Sequence, residues 1–160
     1  MEAKKLIVRS VLDAWNSRLD AANKMFDSLS DEDLQREVSP GRNRGIYLLG
    51  HLALVHDKML PLLNFEPQQY AHLEEIFLNK PDRSVPDIPS AKEVRTIWKN
   101  ANSKLASHFV NLSADDWFQK HSSVSAEDFA KEPHRNRLNV VIGRTNHLQY
   151  HMGQVALLKK

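Results

Sequence analysis

The stretch Asn146-His147-Leu148-Gln149-Tyr150-His151-Met152-Gly153-Gln154 decides how this chain is read, because it sets two imidazoles four residues apart. On a helix that spacing aims both rings the same way. At ~100° per residue the two differ by about 40° around the axis, and Gln154 falls between them on the same face. Val140 on one side and Leu158 on the other continue the stripe. The pattern predicts a last helix from about Val140 to Leu158 with its histidine face turned inward, and Lys159 and Lys160 suit its negative end.

A third histidine, His51, lies in a Gly50-His51-Leu52 setting that echoes Asn146-His147-Leu148. It belongs to a second predicted helix, from about Gly45 to Leu63, with Tyr47, Leu48, His51, Val55 and Leu62 along one face. Histidines on inward stripes cost desolvation unless their nitrogens are satisfied, and a metal ion satisfies one nitrogen on each ring while fixing the tautomer. His51, His147 and His151 together make the core of a catalytic-type site, three nitrogen ligands with a position left for water or substrate. The competing reading is a set of core histidines hydrogen-bonded to side chains or water.

Working outward, Val8, Val11, Leu12, Trp15, Leu19, Ala22, Met25 and Phe26 recur at three and four, the mark of a long first helix ending near Ser28. Ser30-Asp31-Glu32-Asp33 reads as a capping box opening a short turn, and Ser39-Pro40-Gly41 as a breaker. Pro67 can start a short piece reaching about Asn79, after which Pro81, Pro86 and Pro89 impose an extended connector. Ser90-Ala91-Lys92-Glu93 is a second capping box, and Val94, Ile97, Trp98, Ala101, Leu105, Phe109 and Leu112 give the next helix its inner stripe. Ser113 to Arg137 reads as a polar loop with one or two short turns.

The chain also repeats. At one offset Val11, Trp15, Phe26, Leu29, Ser30 and Asp33 match Val94, Trp98, Phe109, Leu112, Ser113 and Asp116; after a longer second loop Ile46, His51, Leu52 and Leu62 match Ile142, His147, Leu148 and Leu158. Two related helix pairs that bury their stripes against each other make an all-α four-helix bundle, and no period-two stretch adds a sheet.

Composition narrows the chemistry. At 160 residues the chain is one domain, 1–160, large enough to fold without staples. It has no cysteine, so disulfides, thiolate ligands and a c-type haem are excluded, and a reducing cytosol is the expected home. The charged start and the lack of a long apolar run argue against a signal peptide or membrane span. The balance of 22 basic and 20 acidic residues gives no sign of a nucleic-acid or membrane-surface partner. No histidine has glutamate three residues before it, which removes the ferritin-like di-iron pattern, and H-E-x-x-H, G-x-S-x-G, G-x-G-x-x-G and phosphate-loop motifs are absent. His56 lies about 140° round the helix from His51 and reads as a rim or surface residue; His72, His108, His121 and His134 read as ordinary polar positions. Arg42-Asn43-Arg44 and Arg135-Asn136-Arg137 could bind an anion but sit just before helices, where such residues are usually solvated.

At His51, His147, His151 and the Gly153-Gln154 pair the chain resembles the DinB-like (YfiT-type) four-helix metalloproteins. The resemblance spans the chain in helix order, and its specific motif is the His-x-Gly-Gln ending of the last helix. Tyr150 and Met152 stand where histidine and arginine are frequent in the family. The resemblance implies an up-down-down-up bundle with a long crossover between helices 2 and 3, here Asn64 to Pro89, a zinc or nickel ion on the three histidines, and often a homodimer. It also implies a thiol-dependent transferase or a hydrolase acting on a small molecule, including a low-molecular-weight thiol as co-substrate. No inward carboxylate stands out as a base, which leaves Tyr150 and Gln154 as the nearest polar candidates for catalysis. The alternative is a non-catalytic, dimeric helical bundle that binds a metal or small molecule.

Overall fold

The structure is a computed structural model that describes residues 2–159. Lys160, assigned above to the end of the last helix, lies outside the described residues. The described chain is helical, with no strand among its residues beyond two isolated bridges, Glu37 to Arg44 and Lys120 to Asn136. Four helices carry most of the core: α1 (Glu2–Asp27), α3 (Gly45–Asp57), α5 (Ala91–Phe109) and α7 (Arg137–Val155). The shorter α2 (Asp31–Gln35), α4 (Met59–Leu62) and α6 (Ala126–Lys131) lie in the connections. α3 packs against α5 and also meets α7, while α1 packs against α7.

Helices α2, α5, α6 and α7 begin where a side chain satisfies a free backbone N–H group. Ser30 and Asp33 exchange both bonds of a capping box at α2, and Ser90 and Glu93 do the same at α5. Asn136 accepts from the Asn139 amide and starts α7 at Arg137, three residues earlier than apolar spacing alone places it. The inner stripes of α1 and α5 are amphipathic, and Trp15, Ala22 and Phe26 on one and Val94, Trp98, Ala101 and Leu105 on the other are buried. α3 is different. From Leu52 to Asp57 every residue is buried, as expected of a helix enclosed on all sides.

The expected helix from Gly45 to Leu63 breaks in two at Lys58. Pro61 is the cause, because its ring has no N–H to offer the Asp57 carbonyl one turn earlier. The Asp57 side chain at the break is fully buried, and its two oxygens accept from the backbone N–H groups of Gln69 (3.0 Å) and Tyr70 (2.8 Å). This is an inward carboxylate that sequence spacing missed, and it is spent on turning the chain. The expected piece from Pro67 to Asn79 is a 3-10 turn at Ala71–Leu73 followed by a short π-helix at Glu75–Asn79.

The π-helical turn is anchored by Phe77, whose ring is buried over Gly50 of α3. A Cβ at residue 50 would lie 2.3 Å from that ring. Glycine is therefore required for the approach, and Gly50 fixes where Phe77 and its carbonyl sit. Replacing it should destabilise the fold by about 1 to 3 kcal/mol, since the core-locked ring has no free space to enter. Chemical denaturation of Gly50→Ala against the unaltered protein checks this.

Candidate metal centre

His51 projects from α3, and His147 and His151 project from α7 one turn apart. Their rings meet where the two helices pack. The His147 Nε2 lies 3.2 Å from the His51 Nε2 and 3.1 Å from the His151 Nε2. One ligand nitrogen from each of the three lies within 4.8 Å of the other two, so these are the residues that could hold a metal ion. Two nitrogens bound tetrahedrally at 2.0–2.1 Å to zinc stand ~3.3 Å apart, which is close to both observed spacings.

Hydrogen bonds behind the rings set which nitrogen is bare. The His51 Nδ1–H donates to the Phe77 carbonyl at 3.0 Å, and the His151 Nδ1–H donates to the Gln154 Oε1 at 2.8 Å. Gln154 is oriented for this role, since its Nε2 donates toward the Tyr150 hydroxyl at 3.5 Å. With protons on Nδ1, both Nε2 atoms present lone pairs to the same spot. A carbonyl and a fixed amide behind ligating imidazoles are the usual way to lock tautomer and ring orientation. Without a cation those lone pairs would compete for a single proton on the His147 Nε2.

The π-helical turn ends at Asn79, and the Phe77 carbonyl goes to His51 instead of to the backbone ladder. Residue 81 is proline, so the N–H that would continue an α-helical ladder from Phe77 does not exist. Tyr47 reinforces the joint: its hydroxyl donates to the Lys80 carbonyl at 2.7 Å, and its ring stacks near His51 at 6.5 Å.

All three imidazoles are held neutral. Burial lowers the pKa of His51 despite the opposing bond to Phe77, and burial likewise lowers His151 against its bond to Gln154. His147 is pushed down to about 4, first by burial and then by the charges of His151, His51 and Arg144. Neutral, correctly oriented imidazoles are what metal binding needs at neutral pH.

The other sequence-selected residues fall into place around this centre. Tyr150 is 65% exposed and touches the site only through Gln154 and an edge-on contact with the His151 ring at 5.0 Å. Tyr150 and Gln154 line one side of a cavity of about 490 Å³, whose opposite wall includes Val38, Arg42 and Asn43. The three histidines do not line it. Arg44 is not a solvated loop residue: its guanidinium and backbone N–H hold the Asp82 carboxylate, with contacts as short as 2.7 Å.

His56 overturns its reading as a rim or surface position. It is fully buried, between Trp15 (4.9 Å) and Trp98 (5.0 Å), and its Nδ1–H donates to the Asn102 Oδ1 at 2.7 Å. Asn102 is oriented by donating to the Trp98 carbonyl. Helix periodicity placed His56 away from His51 correctly, but α3 is covered on that face too, by α5. Two nitrogens near the centre, the His56 Nε2 and the His147 Nδ1, are buried without a partner among the described residues.

No family model matches the chain, and no curated protein matches it.

Burial pushes the His56 pKa down to about 4, with the Asn102 bond opposing and the charges of His147, Arg144 and His51 adding to the fall. The unfolded chain takes up this proton near the ordinary value of 6.5, before the folded protein does. The stabilisation is thus complete above pH 6.5 and is lost as the pH falls toward 4, a change of about 3 kcal/mol for a fully buried group. Unfolding free energies measured between pH 7.5 and pH 4 should fall more steeply for the unaltered protein than for His56→Gln, which keeps a donor toward Asn102 and does not titrate.

Proposed function

We propose that this chain is a metal-dependent enzyme of the DinB-like superfamily that acts on a small molecule, by thiol-dependent transfer or by hydrolysis, with zinc or nickel held by His51, His147 and His151. The observation that carries the reading is the convergence of three Nε2 atoms at 3.1 to 3.2 Å contacts, two of them stripped of protons by fixed acceptors behind the rings. An imidazole set without thiolates suits either metal.

The proposed scaffold is an up-down-down-up bundle of two related helix pairs. The helix contacts and the long connection from Asn64 to Pro89 support it, and so do the matched residues. Trp15 packs on Phe109 at 6.3 Å while its counterpart Trp98 packs on Phe26 at 5.7 Å, a reciprocal exchange between the halves. Ser113 and Asp116 repeat the bonding of Ser30 and Asp33. The equivalent histidines, His51 and His147, meet each other.

Bound at this site, the ion would supply Lewis acidity, making a thiol or water nucleophilic near neutral pH. The residues do the rest. Phe77 and Gln154 keep the His51 and His151 rings aimed at one point, and their burial keeps them unprotonated. Hydrolysis gains most from a positioned proton acceptor. Asp57, the buried carboxylate of α3, is committed to Gln69 and Tyr70, and no carboxylate among the described residues joins the three histidines. That favours thiol transfer over hydrolysis.

Purified without a histidine tag, the protein should carry about one zinc or nickel ion per chain, and His147→Ala should fall to background. Unchanged metal stoichiometry in the variant defeats the proposal. Loaded protein should then accelerate the reaction of low-molecular-weight thiols with electrophiles more than the cleavage of simple esters or amides; inertness toward both classes would favour a structural ion.

A further inference from the structure

Six arginines of the described chain are half-buried: Arg36, Arg44, Arg95, Arg135, Arg137 and Arg144. Five of them donate to the chain, although the Arg137 Nε is buried without a partner and its one bond is 3.5 Å long. Arg36 pairs with Asp33, Arg44 with Asp82, Arg95 with Asp31 and two carbonyls, Arg135 with Glu132, and Arg137 with the Asp116 carbonyl. Arg144 makes no hydrogen bond or ion pair with any described residue. None of its nitrogens is sealed from water, so its five donors stay unspent on the chain and open to a ligand.

Its position gives those donors a use. Arg144 precedes His147 by three residues and His151 by seven, so all three project from one stripe of α7. With the imidazoles neutral, the charge that bears on both His51 and His147 is that of Arg144. No carboxylate among the described residues joins the cluster. With a divalent cation in place the centre would hold an excess of positive charge with nothing from the chain to balance it, and an arginine fork is shaped for a planar or tetrahedral oxyanion.

We propose that the site selects small molecules carrying a carboxylate or phosphate group, and that Arg144 binds this group while another atom of the same molecule reaches the position left open by His51, His147 and His151. This rests on the metal-site reading above and adds the substrate class to it. Arg144 is a specificity residue that sets which molecules are held at the centre; it is not a ligand of the ion.

The test uses the full chain loaded with cobalt(II), whose visible spectrum reports a thiol entering the coordination sphere. Mercaptoacetate and 2-mercaptoethanol, close in size and different in charge, are titrated into the unaltered protein and Arg144→Gln. The substitution should weaken mercaptoacetate about tenfold, the loss of a charge-assisted pair, and leave 2-mercaptoethanol within about twofold. Arg144→Lys keeps the charge without the fork and should lose about threefold for mercaptoacetate; it carries the comparison if Arg144→Gln does not fold. A repeat with 2-mercaptoethyl phosphate distinguishes phosphate from carboxylate preference. Equal weakening of charged and neutral thiols, or no change in either, overturns the proposal while metal loading stays intact. Failure of the unaltered protein to bind cobalt, zinc or nickel overturns the metal-site reading and this inference with it.

Discussion

Two hydrogen bonds behind two imidazoles govern this molecule. The Phe77 carbonyl and the Gln154 amide oxygen each take the Nδ1 proton of a histidine, and each leaves a bare Nε2 facing His147. Three neutral nitrogens held this close are in mutual conflict unless something positive sits among them. The arrangement is therefore informative in a way that three nearby histidines alone are not. The tautomers of His51 and His151 are set from outside the cluster, by the Phe77 carbonyl and the Gln154 amide oxygen.

Much of the fold serves to hold those two acceptors still. Gln154 is one turn from His151 on the same helix, so its bond is local. Phe77 is not: its carbonyl must be delivered from a separate segment. The helical turn stops at Asn79 and leaves that carbonyl to His51, Gly50 lets the Phe77 ring lie against α3, and Tyr47 ties the same joint to Lys80. Upstream, Pro61 breaks the helix and Asp57 bonds two amides of the returning chain, starting it on the path toward α3. Proline and glycine act here as spacers that choose where backbone groups go, and the functional geometry inherits their choice.

The buried polar groups divide by the company they keep. Asp57 and Asn102 are satisfied, and they stabilise turns and packing. His56 is half satisfied, wedged between the two tryptophans that the repeat pairs with each other. Arg144 stands outside this pattern, half-buried beside the histidines with its donors free. Arg144 and two of the three histidines that could hold an ion share one stripe of α7.

The primary structure alone determined the helical class, the four long helical stretches, the capping boxes at Ser30 and Ser90, and the pairing of His147 with His151, because these depend on spacing along a helix of known pitch. His51 was legible as a partner through its Gly-His-Leu echo of the last helix. The break at Lys58, the enclosure of His56 and the identity of the acceptors behind each ring were decided only by tertiary packing. Periodicity says which way a side chain leaves its own helix. It carries no information about what a distant segment brings to meet it, and both the burial of α3 on every side and the free carbonyl of Phe77 are facts of that kind.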